Sequence, residues 1–167
     1  MKRNLLAVIF VALLAVISCR SEEDSLQQID QVLHFYIDSA GIDMLNENVS
    51  GAYTSYSFND VYGLTDNAPV SFTEVLDEDS LYFLKYVAGA RRIAVDSTDT
   101  NHKTLQSKIA MQFVTKINDS VNKIQYDTLV LNYNFTPEVF QIQQAIFNGN
   151  TIFTKISGNP NIIKIHK

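Results

Sequence analysis

The residue types that could carry catalysis are few and scattered in this 167-residue chain. The histidines are His34, His102 and His166, and the single cysteine is Cys19. There is no GxSxG nucleophile motif, no glycine-rich nucleotide motif and no HExxH pair. The sequence therefore predicts no catalytic residue, no cofactor and no metal site with a recognised motif, although a triad assembled by folding would leave no such motif.

Asp30, His34 and Asp38 recur at four-residue intervals, which would place them on one face if the segment were helical. A stripe of this kind could ligate a metal ion. One histidine and two carboxylates without a second histidine at helical spacing more often form a solvated face with weak charge pairs. We expect the solvated face.

The stretch NDVYGLTDNAP, residues 59–69, is rich in side-chain oxygens. Asp60, Asp66 and Asn67 could bind calcium, which prefers carboxylate and amide oxygens. Their spacing matches no EF-hand loop, and Asp, Asn, Gly and Pro are also the usual residues of turns. The turn is the favoured interpretation.

Aspartate followed by Ser or Thr and then by an aliphatic residue or Thr occurs six times. This pattern resembles the O-glycosylation motif of exported proteins of the Bacteroidetes. The resemblance implies a set of candidate acceptors after the start of the domain: Ser39, Ser80, Ser97, Ser120 and Thr128. The alternative is that these pairs are helix caps and turns. Ser80 and Ser97 have the most polar surroundings, so exposed loops are expected there.

The single cysteine follows a basic start and an apolar run, Leu5–Ile17. The run has 13 residues, fewer than the roughly 20 that span a bilayer, and it fits a secretory signal. Val16-Ile17-Ser18-Cys19 resembles the lipobox of bacterial lipoproteins. That resemblance implies cleavage before Cys19 and acylation of the thiol and the new amino terminus, which anchors a protein firmly. The alternative is an ordinary signal peptide with a chance cysteine.

An acidic cluster, Ser21, Glu22, Glu23 and Asp24, follows the cysteine. It resembles the signal that directs Bacteroidetes lipoproteins to the outer face of the outer membrane, and it could equally be a solvated tether. The expected location is therefore the outer membrane, with either the extracellular or the periplasmic face. The stretches NDVYGLTDNAPVSF and AGARRIAVDS are similar to small uncharacterised lipoproteins of that group, a resemblance that implies location and no activity.

Composition and charge predict one acidic domain. Residues 1–18 are the expected signal peptide, 19–25 the acidic tether and 26–167 a single β-rich domain. The net charge is −5, and the signal carries basic residues only, so its removal makes the protein more acidic. A nucleic-acid partner, which requires clustered cations, is not expected.

Residue patterns predict a mainly β fold with one helix. Leu26–Ala40 carries apolar residues at three- and four-residue steps, which indicates an amphipathic helix ended by Gly41. About seven to nine strands follow, with Asn148-Gly149 as a hairpin turn. We expect an antiparallel β-sandwich with the helix over one sheet. The alternative is an α+β fold in which a curved sheet wraps the helix, as in cystatin-like folds.

Tyrosines gather in the middle of the chain and could form a binding face, although most aromatic residues of β domains are buried. They are Tyr53, Tyr56, Tyr62, Tyr82 and Tyr86.

Two functional hypotheses remain open. The first is an envelope lipoprotein, held at the membrane by its lipid anchor, that acts without catalysis as a binding, accessory or structural module for an unidentified protein or glycan. The second is a small envelope hydrolase or isomerase with a site of scattered carboxylates. Two convergent carboxylates or a His–Asp pair in a pocket would favour the enzyme, whereas a flat tyrosine-rich face would favour binding.

Overall fold

The computed structural model of the chain describes residues 26–87, 89–97 and 99–167, and for Ser97 the backbone only. This part of the chain forms twelve strands and no helix. The predicted mainly β class is confirmed. The strands are β1 (Gln28–Asp30), β2 (Val32–Ser39), β3 (Ile42–Asp43), β4 (Tyr53–Asp60), β5 (Thr73–Leu76), β6 (Tyr82–Val87), β7 (Ile93–Ser97), β8 (Lys103–Asn118), β9 (Val121–Phe135), β10 (Val139–Phe147), β11 (Asn150–Thr154) and β12 (Ile162–His166).

The strands form two sheets. Sheet A has seven strands in the order β1-β10-β9-β8-β4, with β11 also on β10 and β7 also on β8. Sheet B has five strands in the order β12-β2-β6-β5, with β3 also on β2. Pairing is antiparallel except at β1–β10 and β12–β2, which are parallel.

One hydrophobic core takes side chains from both sheets. Sheet B contributes alternate residues of β2, β6 and β12, and sheet A those of β4, β8, β9 and β10. Phe72 links the two sets, because its ring lies 4.2 Å from the ring of Phe58 in sheet A and 4.6 Å from that of Tyr86 in sheet B. Since inward and outward residues alternate along each strand, burying one face leaves the other free to contact ligands.

The helix predicted over Leu26–Ala40 is wrong, and so is the alternative fold built on it. Leu26 is 93% exposed and Ile29 is 60% exposed, so the proposed apolar face packs on nothing at its first turn. Further on, Leu33, Phe35 and Ile37 are buried while the residues between them face outward, which is the two-residue period of a strand. Branched and aromatic side chains also favour that conformation.

Two tight turns follow the hairpin rules. Asn148 and Gly149 both have positive φ and join β10 to β11, so the predicted hairpin is confirmed. Ala40 and Gly41 also have positive φ and join β2 to β3. The glycine that suggested a helix end is therefore the second residue of a hairpin turn.

A buried polar cluster fixes the point where the chain passes from sheet A to sheet B. Lys155 donates to Asp30 at 2.5 Å, to Asn161 Oδ1 at 2.9 Å and to the Asn159 carbonyl at 2.6 Å. Asn161 donates to Asp30 Oδ1 at 2.7 Å and to the Val32 carbonyl at 2.9 Å. All three ammonium protons of the lysine are accepted, so this cluster has a structural role.

Candidate functional site

The outward side of sheet A carries a polar surface with little charge along its central strands β8 and β9, here called the amide face. Residues opposite each other in paired strands share a face, so the register assigns the outward positions. Between Thr104 and Val114 of β8 and between Ile124 and Asn134 of β9, Lys108 is the single charged outward residue. The other outward side chains of these two segments are Thr, Gln, Asn, Ala, Val, Ile and Tyr.

A continuous ladder of hydrogen bonds crosses the amide face. Tyr62 donates to Gln106 at 2.8 Å, and Gln106 donates to Asn132 at 3.0 Å. Asn132 donates to Gln144 at 3.0 Å, and Gln144 donates to Thr151 at 3.2 Å. The ladder uses one of the two N–H donors of each amide, so each amide retains a second donor.

Further along β8 and β9 the amide face contains a depression of about 270 Å³. Its floor includes Ala110, whose small side chain leaves space between taller neighbours. Tyr126 stands beside it with 74% of its surface exposed, directly opposite Gln112 in the strand register. Ser57 and Thr128 add hydroxyl groups to the rim. The depression therefore combines an exposed aromatic ring with hydroxyl and amide groups. Asp127 also lines it, but its carboxylate is paired with Lys167 and accepts from Asn148 Nδ2 at 2.7 Å.

The outward side of sheet B carries a second concave region, here called the Asp38 cleft, of about 410 Å³. Four aspartates line it, and two of them hold local structure. Asp43 accepts the backbone N–H groups of Leu45 and Tyr82, and Asp77 accepts those of Asp79 and Leu81.

The remaining contacts of these acids explain two pKa shifts in the cleft. Tyr36 donates to Asp77 at 3.0 Å, and burial followed by that hydrogen bond raises the pKa of the tyrosine. Backbone and side-chain donors together lower the pKa of Asp77, with the amide of Leu81 contributing most. Both effects hold the phenol protonated and the carboxylate ionised near neutral pH.

The Asp38 cleft contains a His–Asp pair, the arrangement that would favour an enzyme. His166 Nδ1 lies 2.5 Å from Asp38 Oδ1, and the histidine side chain is 72% exposed. The described residues that line the cleft include no serine, threonine or cysteine. The pair could orient an imidazole as a base toward water, and among the described lining residues no Ser, Thr or Cys nucleophile accompanies it.

Sequence reasoning missed a lysine that lies in an aromatic cage at one end of the core. The Nζ atom of Lys167 lies 4.3 Å from the ring centroid of Phe113 and 5.5 Å from those of Tyr53 and Phe147, and it pairs with Asp127. The side chains of the ion pair are only 13% and 11% exposed. Burial, followed by the charge of Asp127, raises the pKa of Tyr53 to about 12. The cage is filled by the chain itself.

The predicted calcium residues are not gathered into one site. Asp60 is buried, and its two oxygens accept the backbone N–H groups of Tyr62 at 2.9 Å and Arg91 at 2.5 Å. Asp66 and Asn67 lie in the exposed loop that follows. Among the described residues, no group of three or more His, Cys, Asp or Glu side chains could hold a metal ion. Asp60 therefore stabilises the loop, as the turn interpretation expects.

The three histidines share no site: His34 and His166 lie on the neighbouring strands β2 and β12, four register positions apart, and His102 lies in the turn before β8. His34 stacks on Phe83 with ring centroids 4.5 Å apart, and burial lowers its pKa. His102 contacts Asp99 in an exposed turn, and this hydrogen bond is the main cause of the lowered pKa of Asp99. Asp30, His34 and Asp38 do not lie on one face, because Asp30 belongs to sheet A and the other two residues belong to sheet B.

The five tyrosines do not form one surface, which agrees with the expectation that most aromatic residues of a β domain are buried. Tyr53 and Tyr86 are buried in the core, because alternate residues of their strands point inward. Tyr56 donates to Glu74 at 2.6 Å, and burial with this bond raises its pKa. The exposed ring is instead Tyr126. The alternation of polar and apolar residues along β9 is the sequence pattern that places Tyr126 on the outward side.

The O-glycosylation candidates lie in different settings, and their modification stays a prediction. Ser80 and Ser120 are in exposed turns, whereas Ser39 donates to the backbone carbonyl of Lys167 at 2.7 Å. Ser97 ends β7 rather than lying in a loop, and Thr128 borders the depression.

Cys19 and the acidic cluster, Ser21, Glu22, Glu23 and Asp24, lie outside the described residues.

The fold and the candidate site define a β protein of two sheets with a neutral, hydrogen-bonding outer face. Comparison with protein-family models, with curated proteins and with solved structures gives no match. Among the described residues there is also no helix of the length and hydrophobicity needed to cross a membrane. The function is therefore inferred from the residues of the candidate site and their geometry.

Proposed function

We propose that the protein is an envelope lipoprotein, anchored to the outer membrane through acyl chains on Cys19, whose domain binds a ligand without catalysis. The basic start, the short apolar run and the lipobox-like residues support the anchor. Gln28, the first residue of β1, is nine residue steps after Cys19. This connection reaches at most about 30 Å, so the domain works close to the membrane surface.

The amide face is the observation that carries the binding role. Its central rows on β8 and β9 are uncharged except at Lys108, and it contains the exposed ring of Tyr126 beside a depression. Asp96 lies toward its edge, on β7 opposite Thr104. Surfaces that combine an aromatic ring with a few placed hydrogen-bonding groups are typical of ligand sites. The two sheets around one core support the finer proposal of a largely antiparallel β-sandwich, a scaffold that holds such a face rigid.

The anchor is tested by labelling with a clickable palmitate analogue in a host that processes bacterial lipoproteins. The full chain should incorporate label and fractionate with membranes, whereas Cys19→Ala should lose both. A Ser18→Ala variant is the matched control, because alanine also fits the small position before the cysteine. Undiminished label in Cys19→Ala would refute the anchor.

Display on the outer face is a separate part of the proposal and is supported by the acidic cluster at Glu22, Glu23 and Asp24. Intact cells should lose the wild-type protein to external protease. The variant with all three acids changed to alanine should be protected until the outer membrane is opened. If the wild-type protein resisted the external protease, the domain would face the periplasm. The proposed lipid anchor would not be affected by that result.

One observation favours the enzyme as a second candidate: the Asp38–His166 pair lies in a cleft of about 410 Å³. In that case His166 would take a proton from water, and Asp38 would orient the imidazole. A panel of chromogenic esters, phosphates and glycosides tests it. Turnover that His166→Gln abolishes, and that Tyr126→Ala leaves unchanged, would replace the binding proposal with an enzymatic one.

A further inference from the structure

We infer that the amide face binds a neutral glycan, with Tyr126 stacking against a sugar ring and the neighbouring amides bonding its hydroxyl groups. This inference rests on the proposed binding function and adds the chemical class of the ligand. Three properties of the face carry it: the low charge of its central rows, its hydrogen-bonding groups and its exposed ring.

Charge excludes the commonest anionic ligands. Phosphates, sulfates and uronates are recognised by arginine and lysine side chains that match their charge. Lys108 is the only such residue in the central outward rows of β8 and β9. The protein is acidic overall, with a net charge of −5, yet the acids do not lie on these rows. A neutral ligand suits such a surface, whereas a nucleic acid or an acidic polysaccharide does not.

Hydrogen-bonding capacity matches a polyhydroxylated ligand. A sugar hydroxyl both donates and accepts, and an Asn or Gln amide presents a donor and an acceptor in one plane. Gln106, Asn132 and Gln144 are aligned by the ladder, which fixes their side chains before a ligand arrives. Ligand hydrogen bonds to side chains already held in place cost less ordering entropy.

The exposed ring supplies the apolar contact that hydroxyl groups alone cannot give. Tyr126 is three-quarters exposed on a flat strand surface, next to the small Ala110. An aromatic face in that position can pack against the C–H face of a sugar while its hydroxyl remains in water. Gln112 lies directly opposite in the register, within reach of the same sugar unit.

The spacing of the two features suits a linear oligosaccharide. Ala110 and Gln106 are four residues apart on β8, which corresponds to about 13 Å along the strand. A chain of several sugars along β8 can contact the depression and the ladder together. A monosaccharide can contact only one of them, so affinity should rise with chain length.

The test uses the full acylated chain in detergent micelles and measures binding to neutral hexasaccharides of glucose, xylose and mannose. Polygalacturonate and heparin are the charged comparisons. At least one neutral hexasaccharide should bind, more tightly than its monosaccharide and with little change when ionic strength is raised about tenfold. Tyr126→Ala should weaken that binding about tenfold or more, and Gln112→Ala roughly threefold to tenfold.

Two further variants keep the result interpretable. Tyr126→Phe retains the ring and should retain most of the affinity. Leu76→Ala truncates a side chain on sheet B that is 52% exposed, and it should bind as the wild type does. Preference for a charged polymer, equal affinity in Tyr126→Ala, or no neutral binding would overturn the inference. If no neutral oligosaccharide binds but Cys19 is still labelled, the proposed ligand class is wrong and the proposed lipid anchor is unaffected.

Discussion

Lys167 shows how a single side chain can close the end of this core. Its ammonium group lies among three aromatic rings and pairs with Asp127, while its backbone N–H donates to the Asp38 carbonyl at 2.9 Å. The residue follows a strand of sheet B, whereas the cage residues belong to sheet A. The contact therefore ties the sheets together through charge and cation–π attraction.

The variant Asp127→Asn should lower the free energy of unfolding by about 1–3 kcal/mol, because it leaves a mostly buried ammonium group without its counter-charge. Urea unfolding measures this change. The double variant with Lys167→Met should recover much of the loss, since a well-packed apolar side chain can replace a buried ion pair.

Asp119→Asn is the matched control for that experiment. Its carboxylate pairs with Lys116 at 2.7 Å, but the aspartate side chain is almost fully exposed, so little change is expected. Equal effects of Asp119→Asn and Asp127→Asn would show that the cage adds nothing beyond a surface pair.

Only part of the candidate site could be predicted at the level of residues. Asp60 behaves as the turn residue that its neighbours indicated. The Asp38–His166 pair joins residues far apart in sequence through the parallel register of β2 and β12, which no local pattern encodes. Tyr126 could not be distinguished from Tyr133, because the direction of each ring depends on which face of β9 meets the core.

Strand β2 shows why the element assignment failed at the start of the domain. A segment with apolar residues at several spacings fits both a helical and a strand period, and intrinsic propensity alone does not decide between them. The partners decide: β2 lies between β12 and β6, so its backbone groups are paired on both sides. These partners come from distant parts of the sequence, and tertiary pairing overrides the local pattern.

Strands β8 and β9 illustrate the opposite case. They lie in the part of the chain predicted to be rich in strands, and they form an antiparallel pair of 16 and 15 residues. Their length makes the amide face, because outward residues of one continuous register stand in regular rows. Once the inward residues of β8 and β9 are known, the alternation identifies the outward residues, and the sequence then shows how few of them are charged.

The turn between β10 and β11 provides a prediction at the level of elements. Gly149 has a φ of +83°, and no atom would contact an added Cβ, so the only cost of Gly149→Ala is backbone strain. We expect a loss of about 1 kcal/mol in the free energy of unfolding, measured by urea titration.

Gly89→Ala is the control, because this glycine also has open space around it and its φ is not positive. It should be neutral or slightly stabilising, since alanine restricts the unfolded chain. A loss as large as that of Gly149→Ala would mean that backbone conformation is not the cause.

At the scale of the whole molecule, the two outer faces differ in chemistry. The central rows of sheet A's outward side are rich in amides and carry one charge, at Lys108, whereas the outward side of sheet B carries the aspartates of the Asp38 cleft. A short lipid-tethered connection would hold both close to the membrane. The Asp38 cleft and the amide face are therefore alternative ligand sites. We propose that the ligand binds to the amide face.

A single-tryptophan reporter tests that assignment most directly, because the natural chain contains no tryptophan. Tyr126→Trp places the reporter in the amide face and should keep the stacking contact, whereas Leu81→Trp places it in the Asp38 cleft. Titration with a neutral hexasaccharide should change the fluorescence of Tyr126→Trp saturably and leave that of Leu81→Trp unchanged. A saturable change in Leu81→Trp alone would contradict the account and place the ligand in the cleft.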